Sequence, residues 1–385
     1  MIFDKELVNK FTSLETPFYF YDLNLLKNTL EALTKESSKR NYKVHYALKA
    51  NSNDKILKMI TDFGLGADCV SGNEIDTAIR LGFKNNEIVF AGVGKSDKEI
   101  KNALNHNIFC FNAESSQELD VLNSIASAMN KTAQIAIRIN PNINANTHRY
   151  ITTGLEENKF GISVWELNQV IEKINSLKNL KLIGLHFHIG SQITDPDVFK
   201  ELCIRINDLQ KWFNDHNINI SHINTGGGLG VNYENPDENL IPDFKTYFNI
   251  FERFLELIPG QELHFEIGRA IVAQCGSLIS KVLYIKKGVN TNFAILDAGM
   301  TELIRPALYQ SYHKIENLTS DGNENRYDVV GPICESSDTF AKAILLPETR
   351  RGDLIAIRST GAYGEVMSSN YNLREKVKAY YSDEI

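Results

Sequence analysis

Lys49 closes an apolar run, Val44-His45-Tyr46-Ala47-Leu48, and is followed at once by Ala50-Asn51-Ser52-Asn53. A lysine so placed projects from the C-terminal end of a strand. Its neutral amine, favoured by partial burial, is the group that forms a Schiff base with a carbonyl. The alternative reading is a surface lysine at a strand end. What decides between the two is company, and later strand ends carry suitable groups. They are Asp68, then His186 and His188 with Ser191, then Gly226-Gly227-Gly228 in a run to Gly230, and Glu266 followed by Ile267-Gly268-Arg269.

Part by part, this set matches what pyridoxal phosphate needs from a protein. A phosphate needs backbone N–H groups at close approach, which Gly226, Gly227 and Gly228 can offer, as can a bare turn that binds nothing. Ser191 and Arg269 can add side-chain bonds. A pyridine nitrogen needs an anion to keep it protonated, and Glu266 qualifies unless it is spent on a buried pair with Arg269. The ring face needs a flat group, and His186 and His188, two residues apart, share one side of a strand. Metal binding and plain core packing are the other readings of that pair; without a third ligand motif, no metal site is expected. Asp68 either steadies the lysine amine or caps the helix that follows it.

The elements that must position these residues form a repeating βα pattern from about residue 40 to 268. The strand-like runs are Val44–Leu48, Gly66–Val70, Ile88–Ala91, Phe109–Asn112, Ile135–Ile139, Leu182–His188, His222–Thr225 and His264–Ile267. Amphipathic stretches lie between them, among them Asp54–Phe63, Gly72–Leu81, Ser115–Ala128 and Asp197–Phe213. Eight such units predict an α/β fold, a (β/α)8 TIM barrel over residues 22–268, whose chemistry sits at the C-terminal strand ends. A doubly wound sheet would share the alternation but not the count. Beyond Gly268, short runs without helical spacers predict a β-sandwich or β-barrel domain over 269–385, with 1–21 joining it through Pro17–Tyr21. Two loops, Pro141–Gly161 and Gly226–Pro242, are long enough to be lids.

Composition narrows the classes further. The chain has 385 residues, 43% of them hydrophobic and 23% charged, as in a globular protein. A formal charge of −7, with no basic cluster beyond pairs, argues against nucleic acid and anionic membranes as partners. No apolar run approaches the ~18 residues of a membrane span, and the first residues do not read as a signal peptide. Five scattered cysteines without a C-x-x-C pair predict neither a disulfide framework nor structural zinc, and fit a cytoplasmic location.

Tyr46-Ala47-Leu48-Lys49-Ala50-Asn51, His186-Phe187-His188-Ile189-Gly190-Ser191-Gln192, Gly226–Gly230 and Glu266–Arg269 resemble segments of the fold-type III pyridoxal-phosphate decarboxylases. The likeness runs over about residues 10–375. In the C-terminal half, Ile304-Arg305-Pro306-Ala307-Leu308-Tyr309, Cys334-Glu335-Ser336-Ser337-Asp338 and Gly361-Ala362-Tyr363-Gly364 are similar to the members that act on meso-diaminopimelate. The resemblance implies that Lys49 carries the cofactor, His188 stacks on its ring and Glu266 meets its nitrogen. Asp68, Ser191, Gly226–Gly228, Gly268, Arg269 and Tyr363 would complete the cofactor site. Arg305, Tyr309 and Glu335, with Arg269 and Tyr363, would bind substrate, and Cys334 would donate the proton. It further implies a homodimer with shared active sites, the Cys334-Glu335 segment reaching the partner's site. Two departures stand out: Ile267 replaces a usual proline, and Ser337 a usual glycine.

The implied reaction is decarboxylation of meso-2,6-diaminopimelate to L-lysine, the last step of lysine biosynthesis. A bidentate arginine suits the carboxylate at the unreactive end of that substrate, and a glutamate suits its ammonium. Without the resemblance, Arg305 and Glu335 read as surface charges and Cys334 as an inert thiol. The rivals are a related decarboxylase of arginine, ornithine or carboxynorspermidine, a racemase, a non-catalytic cofactor-binding protein, and a sugar-phosphate barrel enzyme.

Overall fold

A computed structural model of the chain describes residues 3–143 and 159–385. Most of the loop expected over Pro141–Gly161 therefore lies outside the described residues. The chain divides into two compact units. One comprises Leu30–Gly230 and Asp243–Gly268, the other Met1–Thr29, Val231–Pro242 and Arg269–Ile385.

In the first unit eight parallel strands close in chain order into a ring. They are Lys43–Ala47, Gly66–Cys69, Ile88–Phe90, Cys110–Ala113, Ala133–Asn140, Leu180–His186, His222–Asn224 and Glu262–Ile267. The last pairs with the first, Glu266 opposite His45 and Ile267 opposite Tyr46, which makes this a TIM barrel and not a doubly wound sheet. Ile267 thus closes the ring through a regular pairing.

The helices begin where local chemistry dictates. Ser71, Ser96 and Ser115 each accept the backbone N–H of a glutamate three residues on, Glu74, Glu99 and Glu118. That satisfies a donor with no intrahelical partner and puts an acid in each first turn. Ser71, not Asp68, is therefore the cap of the helix after the second strand. Helix Phe244–Phe254, between the seventh and eighth strands, is absent from the stretches singled out by periodicity. Its aromatic content favours a strand by propensity, but Phe244, Tyr247, Phe248 and Phe251 repeat at helical spacing and are the residues it buries. Among the described residues no helix is long and apolar enough to cross a membrane.

In the second unit the strand Gly276–Lys287 pairs with Phe18–Tyr21, Asn292–Leu296 and Leu354–Ile357. Phe18–Tyr21 is buried along its whole length, and its outer edge is taken by Lys378–Tyr381. Glu324–Val330 and Thr339–Pro347 extend the sheet. Mixed parallel and antiparallel pairing matches the predicted β domain, with the short helix Arg305–Tyr309 in the connection between the parallel pair Asn292–Leu296 and Glu324–Val330.

Strand alternation layers the barrel interior. On the eighth strand His264 and Glu266 share a face, as do His222 and Asn224 on the seventh. The lower layer is a knot of imidazoles. His45 Nδ1 lies 3.0 Å from the Glu87 carbonyl and His45 Nε2 lies 2.8 Å from His264 Nδ1. His222 packs edge-on to His264 with ring centres 4.0 Å apart, and Phe109 stacks on His264. A carbonyl only accepts, so His45 Nδ1 carries a proton and Nε2 accepts from His264 Nδ1–H. Burial holds all three below the usual imidazole range, His222 down to about 3.

An imidazole depressed in the folded state takes up its proton first in the unfolded chain. Its contribution is therefore full above pH ~6.5 and is lost as the pH falls below that value, at about 1.4 kcal/mol per group per pH unit. Urea unfolding measured from pH 7.5 to 5 should show stability falling below pH ~6.5. His222→Phe should reduce that slope by about one proton; an unchanged slope would refute the assignment.

Candidate active site

Lys49 leaves the first strand on a single 3-10 turn, Leu48–Ala50. Tyr46 donates from its hydroxyl to the Asn51 carbonyl at 2.9 Å and fastens the chain just beyond that turn. A Cβ on Gly268 would come within 3.0 Å of Ala50 Cβ and 3.1 Å of Ala47 Cβ, so glycine is what lets the lysine turn pack on the end of the eighth strand. Lys49 Nζ lies 4.0 Å from Asp68 Oδ2; the lysine side chain is 39% exposed and the carboxylate buried. Burial, then the charge of Glu266, pushes the Asp68 carboxyl up to about 7, against the pull of Lys49. Asp68 thus stands beside the lysine amine, and the helix that follows is capped by Ser71.

Glu266 is the best-held group in the barrel mouth. Its Oε1 accepts from Asn112 Nδ2 at 2.9 Å and from Asn224 Nδ2 at 2.8 Å, and its Oε2 meets His186 Nε2 at 2.9 Å. The buried pair with Arg269 is therefore not its arrangement. Burial pushes its carboxyl upward, while Lys49, His45 and the Asn224 bond pull toward the anion.

The same geometry separates the two histidines. His186 is committed to Glu266. His188, half-buried, accepts the Gly227 N–H on Nδ1 at 3.3 Å, and burial with Lys49 nearby holds it well below the ordinary imidazole range.

The glycine run follows the seventh strand as a tight turn. Gly226 has φ +70°, and Cβ atoms on Gly226 and Gly227 would strike the Phe187 and Glu266 carbonyls. The Ser191 loop is tied to this turn, Ile193 N–H to Gly228 O at 2.8 Å and Gly230 N–H to Ile193 O at 2.9 Å. Ser191 and the glycines are thereby neighbours. Asp68 Oδ1, Asn112 Oδ1 and His186 Nδ1 are buried with no hydrogen-bond partner among the described residues. A side-chain-free cradle, an anchored anion, a flat ring and a lysine at one barrel mouth fit pyridoxal phosphate.

The β unit carries a second constellation. Arg269 Nη1 donates to Tyr233 Oη at 2.6 Å, and its guanidinium lies 4.7 Å from the Tyr363 ring. Arg305 opens the helix Arg305–Tyr309 and lies 5.6, 5.8 and 5.9 Å from the rings of Tyr233, Tyr309 and Tyr363. Both guanidiniums are buried, so Arg305 is no surface charge. Cys334 and Glu335 lie outside this cage, on an exposed loop pinned by Asp338, which accepts the N–H of Ile333 and Met300. Cys334 N–H donates to Asn372, and Glu335 accepts from Tyr371 at 2.7 Å. Of the five cysteines, Cys69, Cys110, Cys203 and Cys275 are buried with thiols pushed up by burial, and Cys334 is exposed.

The family model described as pyridoxal-dependent decarboxylase, pyridoxal binding domain, matches residues 23–273. The chain belongs to that family, whose cofactor is pyridoxal phosphate. Within it, the chain is 58% identical to the diaminopimelate decarboxylase of Bacteroides thetaiotaomicron, over 98% of each sequence. It is 43% identical to that of Helicobacter pylori, over 95% of this chain and 90% of the relative. The crystal structure of the Helicobacter pylori diaminopimelate decarboxylase complexed with L-lysine superposes with a TM-score of 0.92 at 41% identity, covering 98% of this chain and 94% of that one.

Four residues that matter here escaped the sequence reading. Asn112 is the last residue but one of the fourth strand and Asn224 the last of the seventh, so their place at the strand ends was a sufficient signal. Tyr233 and His313 lie in segments without a motif, and nothing in the sequence marks them. Removing either amide leaves a buried carboxylate oxygen short of a donor. Asn112→Ala and Asn224→Ala should each lower stability by about 2 kcal/mol in urea unfolding; a loss of less than a few tenths would show that Glu266 does not depend on them.

Proposed function

We propose that this chain decarboxylates meso-2,6-diaminopimelate to L-lysine and CO2, the last step of lysine biosynthesis. The observation that carries the reading is identity of 58% along 98% of the chain to a diaminopimelate decarboxylase. Bound pyridoxal phosphate supplies an electron sink for the pair that departing CO2 leaves behind. Lys49 would hold the cofactor through its amine, with the Asp68 carboxyl beside it. Glu266, kept as an acceptor by Asn112, Asn224 and His186, meets the ring nitrogen. His188 covers one ring face. The N–H groups of Gly226–Gly228 and the Ser191 hydroxyl take the phosphate, helped by Arg269 and Tyr363.

Arg305 and Tyr309 hold the carboxylate of the unreactive end, and Glu335 its ammonium. The buried Arg305 favours this substrate over ornithine, which lacks that carboxylate and would leave the charge uncompensated. Cys334 gives the proton that replaces CO2 on the α-carbon. Its exposed loop, with Glu335, supports a homodimer in which each chain lends this segment to its partner. Unpaired cysteines support a cytoplasmic location.

CO2 release should be fastest from meso-diaminopimelate when arginine, ornithine and carboxynorspermidine are assayed beside it; a faster rival would reassign the substrate. Lys49→Ala should lose turnover together with the visible absorbance of the lysine-bound cofactor. Full activity in that variant would remove Lys49 from its role. Cys334→Ala should keep the absorbance and slow turnover at least ~100-fold, as expected for loss of a positioned acid; an unchanged rate would exclude Cys334 as the proton donor.

A further inference from the structure

Arg305 is a buried cation whose partners among the described residues are neutral: three tyrosine rings and one imidazole. The rings set its surroundings but do not fix the rotation of its guanidinium plane. His313 does. Its Nδ1 lies 2.9 Å from the Arg358 carbonyl, which can only accept, so Nδ1 carries the proton. Its Nε2 therefore presents a lone pair, and Arg305 Nε–H points at it from 3.3 Å. The anchor is firm. Arg358 N–H bonds the Lys314 carbonyl at 2.8 Å, and its side chain pairs with Asp237 at 2.8 Å and Glu316 at 2.7 Å. On its other side the His313 ring packs edge-on to Tyr233 with centres 5.0 Å apart.

We infer that His313 is a positioning and specificity-determining residue, which takes up the Nε–H of Arg305 so that its two terminal amino groups face the substrate's distal carboxylate. A guanidinium can grip a carboxylate end-on, through both terminal nitrogens, or side-on, through Nε and one of them. With Nε engaged by His313, only the end-on fork remains. His313 also has to stay an acceptor, since a proton on Nε2 would turn it against the guanidinium. Burial, with the charge of Arg305 beside it, holds its imidazole down to about 3. The inference rests on the proposed substrate, whose unreactive end keeps its carboxylate throughout. Contact with that end is the same in ground and transition states, so its loss raises KM and spares kcat.

The test uses the holoenzyme and His313→Leu, which removes the acceptor, beside His313→Gln, whose amide can accept from Arg305 and donate to the Arg358 carbonyl. We expect His313→Leu to raise KM for meso-diaminopimelate about tenfold, as for one charged hydrogen bond, with kcat within about threefold. The inhibition constant of L-lysine, which retains the distal carboxylate, should rise in parallel. That of cadaverine, which has no carboxylate, should not move, and His313→Gln should restore most of the L-lysine affinity. Equal weakening of L-lysine and cadaverine, or a KM within twofold of wild type, would overturn the inference. A His313→Leu chain that fails to fold leaves His313→Gln to decide, through each inhibition constant against wild type: L-lysine within about threefold with cadaverine unmoved supports the role, and comparable weakening of both ligands opposes it. Wild-type CO2 release from meso-diaminopimelate tests the substrate reading separately, so either can fail without the other.

Discussion

The anchoring of Glu266 is the constraint on which the barrel mouth depends. A carboxylate taken out of water must be met by donors or it takes up a proton. Here the donors come from the fourth, sixth and seventh strands while the acid itself stands on the eighth. None of those strands can shift without breaking a bond to the same two oxygens. The glycine turn and the Ser191 loop spring from strands held in this way, and the lysine turn springs from the first strand, which pairs with the eighth. Geometry for chemistry is thus inherited from a satisfied buried charge, not from the loops that display it.

Two pressures meet in that charge. Burial favours the neutral acid, yet a neutral acid could not serve as the partner of a protonated ring nitrogen. Asn112 and Asn224 each give a hydrogen to one oxygen, and His186 serves the other. None of the three adds a formal charge, because burial keeps His186 neutral. The site keeps an acceptor without a competing cation at the same point. Asp68, with fewer donors and a like charge in view, is left near neutrality. Burial pushes both carboxyls upward, and what separates them is the donors that meet Glu266.

Much of this was legible in the residues. Eight strand runs with helical spacers define the barrel, because period-two and period-3.6 patterns differ sharply where one face is buried. Lys49, Glu266, the pair His186 and His188, and the glycines could be singled out because chemistry at strand ends draws on few residue types. Sequence could not separate His186 from His188, since alternation puts both on one face and only a contact with Glu266 distinguishes them. Nor could it assign the cap after Asp68 or the burial of Arg305. Those depend on which residues meet across elements, as does His313, whose meaning lies in the direction of one lone pair. Helix Phe244–Phe254 carried a readable helical spacing that its aromatic composition disguised.

The alternation of imidazole and amide or carboxylate along the barrel strands has a consequence for how the ring assembles. An all-apolar barrel interior tolerates a two-residue slip, because inward positions recur every second residue and one aliphatic side chain replaces another. On the eighth strand such a slip would bring His264 to the place of Glu266, and on the seventh His222 to that of Asn224. The carboxylate would then sit away from its amides with no compensation in the protein interior. A chain misregistered by one pleat would still look like a barrel but would carry an unpaired charge inside it. The polar lining therefore acts as a proofreader of strand alignment before any substrate arrives.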